Sequence, residues 1–66
     1  MTEAQRRRKA RFRAALALAE MTMEEWCVAE DLSYGHVYMV ISGRRESRAL
    51  LERIDRFISK HAARVA

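Results

Sequence analysis

Two helix-opening signals stand eleven residues apart in a chain with no proline, and a glycine follows the second ten residues later. Thr22 with Glu25 has the pattern of a capping box, in which each side chain takes up an unpaired amide of the other's turn. Met21 just outside and Trp26 just inside have the spacing of a hydrophobic staple. Ser33 is a second N-cap, and Leu32 and Val37 repeat the staple around it. Gly43 suits the left-handed position that ends many helices. The segment Thr22–Gly43 therefore reads as two short helices joined by a few residues, the first running to about Glu30 and the second through Ile41 and Ser42.

The flanks also read as helices. Phe12, Ala15, Leu16 and Ala19 recur at helical spacing and predict a first helix over 3–20. Its opening turns have almost nothing to bury and are expected to project or fray. After a polar loop at Arg44, Arg45 and Glu46, Ser47 caps a helix over 47–61. Its apolar stripe is Leu50, Leu51, Ile54, Phe57 and Ile58, about one core-facing side. The last residues are expected to fray. Within the motif, Trp26, Cys27 and Ala29 are expected to face inward. The expectation is thus an all-α, compact four-helix domain, one domain over 1–66, with a helix-turn-helix at 22–43.

At 66 residues, such a chain buries roughly 60% of its unfolded surface. That allows one modest core and leaves no room for an enclosed substrate cavity. Dimerisation is a natural source of added stability, and the overflow of the last stripe, Phe57 or Ile58, is a candidate dimer contact. A single cysteine, Cys27, rules out an intramolecular disulfide framework and fits a reducing cytoplasm. No apolar run approaches the ~20 residues of a membrane span. The net charge of +4 is segregated. Six cations crowd residues 1–13 (Arg6, Arg7, Arg8, Lys9, Arg11, Arg13), five acids and no base lie in 20–31, and 32–66 are basic again. Segregated positive charge suggests a polyanionic partner.

The segment TMEEWCVAEDLSYGHVYMVISG, Thr22 to Gly43, resembles the lambda repressor and Cro family of helix-turn-helix proteins along its whole length without a gap. Thr22 matches the family's first motif-helix opening, Trp26 its usual leucine, and Cys27 the small residue between the helices. Leu32, Val37 and Val40 match its three buried aliphatics, and Gly43 its closing glycine. Asp31 stands where the family has a turn glycine, Met23 where it often has a backbone-clamping glutamine, and Glu30 where an aliphatic residue is common. The resemblance implies that double-stranded DNA is read by the second motif helix. Tyr34, Gly35, His36 and Met39 match the base-reading positions.

The residues support that role independently. At 100° per residue, Val37, Val40 and Ile41 cluster on one side of the helix, and Gly35, Tyr38, Met39 and Ser42 fall opposite. An outward side without charge, carrying a glycine that costs about 1 kcal/mol inside a helix, suits a groove floor better than bulk water. Ser33, Tyr38, Ser42, Arg44 and Arg45 are candidate phosphate contacts, joined by Arg6 and Arg7 if the basic first helix reaches DNA. Catalysis has no foothold. His36 and His61 lie on different helices, Cys27 is expected in the core, and no zinc-ligand spacing or glycine-rich phosphate loop occurs. No cofactor, metal or small-molecule substrate is expected. The expectation is a cytoplasmic homodimeric transcriptional regulator, typically a repressor on a palindromic operator, of the style of small phage or mobile-element regulators. A helical protein-interaction module, such as an antitoxin or adaptor subunit, is the alternative, and a membrane-surface or RNA-binding helix at residues 6–13 a second.

Overall fold

The computed structural model describes residues 2–62, which form four helices and no strand: α1 (Glu3–Leu18), α2 (Met23–Ala29), α3 (Tyr34–Ile41) and α4 (Arg48–Ala62). The outermost positions of the expected domain, 1 and 63–66, lie outside the described residues, as does the expected fraying of the C-terminal end. The caps explain where the elements start. Thr22 accepts the Glu25 amide at 3.1 Å while Glu25 Oε1 accepts the Thr22 amide at 2.8 Å. Ser33 accepts the His36 amide and Ser47 that of Leu50. Each such cap is worth about 1 kcal/mol.

The beginning of α1 differs from expectation. It does not fray, because Thr2 and Gln5 form another capping box and Arg8 reaches Asp55 of α4 at 3.1 Å. Gln5 also lies against the Gly43 turn, so close that a Cβ on Gly43 would stand 2.8 Å from its amide group. Sequence spacing showed no apolar anchor in these turns. The anchors are polar and tertiary.

Helices α1, α2 and α3 end in the same way. The amide two residues past each cap bonds back to the third-last carbonyl: Met21 to Leu16 at 2.9 Å, Leu32 to Cys27 at 2.8 Å and Arg44 to Met39 at 2.9 Å. These are Schellman endings, and each needs a left-handed residue at the turn. Gly43 supplies it at φ 79°, but the other two positions hold Glu20 (φ 56°) and Asp31 (φ 57°). Accordingly α1 stops at Leu18 rather than Glu20, and α2 at Ala29 with Glu30 as its cap. A non-glycine residue in this region costs roughly 1–2 kcal/mol. Asp31→Gly is therefore expected to stabilise the domain by about 1 kcal/mol, raising Tm by about 4–8 °C in calorimetry. An unchanged or lower Tm would show that the aspartate carries a compensating contact.

The helices enclose one core of Phe12, Leu16, Trp26, Cys27, Val37, Val40, Ile41, Leu50 and Ile54, with Met21, Met23, Leu32, Leu51, Phe57 and Ile58 packed partly buried around it. Its centre is aromatic. The Phe12 ring meets Trp26 edge-on at 5.0 Å and Phe57 edge-on at 5.9 Å, and His61 lies tilted against Phe57 at 4.5 Å. Phe57 is thus half inside, not overflow. Cys27 is buried, which with the Glu24 charge nearby pushes its thiol pKa up and leaves it a poor nucleophile. Ala29, expected inside, is exposed, because α2 is only two turns long and Trp26 and Cys27 fill its inner side. Among the described residues no helix is long and apolar enough to cross a membrane.

Candidate nucleic-acid interface

α2 and α3 are joined by Glu30–Ser33, a four-residue turn pivoting on left-handed Asp31. Leu32 at its end is drawn onto the core, which fixes the start of α3. From there the helix divides by face. Val37 is 0% exposed, Val40 4% and Ile41 2%, all directed inward. Tyr34 and Tyr38 remain 46% and 41% exposed, Gly35 is exposed, and His36 and Met39 are half-buried at the flanks. The two tyrosine rings stack on each other at 6.3 Å with an 18° tilt, forming one flat, hydroxyl-bearing surface across a helical turn. Gly35 has open space around it. An added Cβ would meet nothing nearer than Ser33 Oγ at 3.8 Å, so packing within the domain does not require a glycine there.

Cations stand on both sides of this face. On one side Lys9 of α1 lies 5.5 Å from the centre of the Tyr38 ring, a cation–π contact that holds the ammonium beside α3. Lys9 and Arg13 line a shallow groove with Met21, Met23, Tyr34 and Tyr38. On the other side the loop after α3 exposes Arg44 and Arg45. Arg45 Nη1 lies 3.0 Å from His36 Nδ1. A guanidinium can only donate, so the ring accepts at Nδ1, and the neutral ring carries its proton on Nε2 as an oriented donor. Ser33, at the opening of the helix, uses its hydroxyl on the His36 amide.

Not every residue expected on this surface joins it. Ser42 lies under the closed end of α3, near where Gln5 crosses Gly43. Its Oγ is shielded from solvent and has no hydrogen-bond partner among the described residues, which removes it from the phosphate candidates. Arg6 shares the α1 side of Lys9 and Arg13 by helical spacing, although its guanidinium lies 3.9 Å from Glu3. Arg7 also pairs with Glu3, at 3.6 Å, and lines a depression on the α4 side with Arg8, Arg11 and Ser59, away from α3. Lys9 and Arg13 are the residues that the sequence reading passed over. Their spacing of four places them on one helix side, but which side faces α3 depends on how α1 docks. The acids of α2 and its turn are elsewhere: Glu25 caps Thr22, and Glu30 and Asp31 border α4 beside Arg53 and Arg56.

Among the described residues no group of His, Cys, Asp and Glu is arranged to hold a metal ion. Comparison with protein-family models, curated proteins and solved structures returned no match.

Proposed function

We propose that this chain is a sequence-specific DNA-binding transcriptional regulator of the helix-turn-helix class, acting in the cytoplasm as a homodimer on a palindromic operator. α3 enters the major groove with its opening residues against base edges. One observation carries the reading: the outward side of α3 bears no charge, yet cations from α1 and from the following loop stand on either side of it. A protein-facing surface has no need of that bracket, whereas a duplex presents bases between two rows of phosphates. Tyr34, His36 and Met39 contact bases, His36 as a donor to a purine acceptor and Met39 as an apolar neighbour for a thymine methyl. Arg44, Arg45, Lys9 and Arg13, with the Tyr38 hydroxyl, contact phosphates. Repression by covering a promoter is the simplest action of such a reader.

The test begins with selection of bound fragments from a random duplex pool, followed by anisotropy titrations across salt concentrations. Binding is expected to weaken steeply with salt while keeping its preference for the selected sequence. Arg44→Ala is expected to weaken selected and random duplexes alike and to lower the salt slope by about one. An unaltered slope would take Arg44 off the phosphates. Failure to enrich any sequence would remove the specific-reader proposal and favour the protein-interaction module.

A further inference from the structure

The side of α1 away from α3 poses a separate question. Ala14 and Leu18 are exposed there, Leu18 by 49%, and together with Arg11, Ala15 and half-buried Ile58 they line an apolar groove between α1 and α4. A side chain of this size left half in water on a chain with so small a core is more than scattered surface hydrophobicity, because the groove beside it is apolar too. The charges along this side are ordered. Arg7, already paired with Glu3, and Arg11 lie toward its beginning, the apolar positions in the middle, and Glu20 just past its end. Neither Arg11 nor Glu20 makes an ion pair among the described residues. A surface that reads basic, apolar, acidic along one helix is complementary to a copy of itself running the opposite way.

We infer that a second copy of this chain docks here, with the two α1 helices antiparallel, Ala14 of each against Leu18 of the other and Arg11 of each beside the other's Glu20. The register is self-consistent. Pairing position 14 with 18 and position 11 with 20 centres the contact near residues 15 and 16 in both cases. Ala14 is small enough for the helices to approach closely, and Ile58 closes the side next to α4. The arrangement also accounts for a glutamate in a left-handed position, at φ 56°, where glycine is less strained. Its carboxylate is placed at the end of the helix to meet the partner's guanidinium.

The inference rests on the DNA-reading proposal only for its purpose, and the geometry agrees with that purpose. At about 100° per residue, Ala14 and Leu18 lie at least a quarter-turn from Lys9 and Arg13, so a partner on this side leaves α3 uncovered. The two-fold axis of an antiparallel helix pair runs perpendicular to both helices. Such a pairing leaves the Lys9–Arg13 side of each copy facing away from the partner.

Sedimentation equilibrium of the full chain without DNA tests this directly, since it does not depend on whether DNA is the ligand. The wild-type chain is expected to be dimeric in the micromolar range. Leu18→Glu is expected to raise the dimer Kd at least tenfold while its thermal unfolding at low concentration stays that of the wild-type monomer. Arg11→Glu and Glu20→Arg are each expected to raise it about fivefold, and the double reversal to restore it. A monomer at all concentrations, a Leu18→Glu dimer of wild-type strength, or a double reversal no better than either single one would overturn the proposed interface. Loss of dimer with retained, weaker binding to a single half-site would leave the reading role of α3 standing by itself.

Discussion

Phe12→Ala is expected to leave most of the chain unfolded at physiological temperature. Phe12 is fully buried and contacts Trp26 and Phe57 edge-on, so its ring holds α1 to both α2 and α4. Removing a buried phenylalanine ring costs about 3–5 kcal/mol, counting both lost transfer and the cavity left behind. A domain this small has a total stability of the same order. No neighbour can collapse into the space easily, because the adjoining side chains Trp26 and Phe57 are themselves rings, held on two different helices. Urea unfolding followed by circular dichroism measures the effect, with Phe12→Leu as a milder companion. A loss of less than about 1.5 kcal/mol would mean that the aromatic cluster is not what organises the core.

Tyr34→Ala acts at the opposite extreme, on recognition and not on folding. The ring is 46% exposed and stacks on the similarly exposed Tyr38, so the melting temperature is expected to change little. The preference for operator over random duplex is expected to fall by about 10- to 100-fold, the scale of one good base contact. Competition titrations at fixed salt report this ratio directly. Tyr34→Phe keeps the stacked pair and deletes only the hydroxyl, separating ring contact from hydrogen bonding. Unchanged operator preference in Tyr34→Ala would move the reading surface off the opening of α3.

Local chemistry made the motif legible in the sequence. Thr22, Glu25, Ser33 and Gly43 act within a few residues of themselves, and each takes the capping or turning role that its type and spacing imply. The division of α3 was equally readable, since Val37, Val40 and Ile41 leave only one side for Tyr34 and Tyr38. Tertiary contacts were less so. Nothing local shows that Gln5 will lie on the Gly43 turn, that Arg8 will reach Asp55, or that Arg45 will orient His36. The burial of the Ser42 hydroxyl follows from the crossing of α1 over the end of α3, which a helical wheel does not contain. The placement of Lys9 and Arg13 beside α3 was hidden for the same reason: a wheel gives their shared side but not its neighbour.

On the role proposed for α3, Gly35 has a consequence for how its target changes over time. The space around it is open within the domain, and the residues that hold α3 in place are Val37, Val40 and Ile41 on its other side. Scaffold and vocabulary are thereby kept on separate residues of the same two-turn helix. On the DNA-reading role proposed for α3, a lineage can rewrite positions 34, 35 and 36, and so drift toward new target sites, without renegotiating the architecture that presents them.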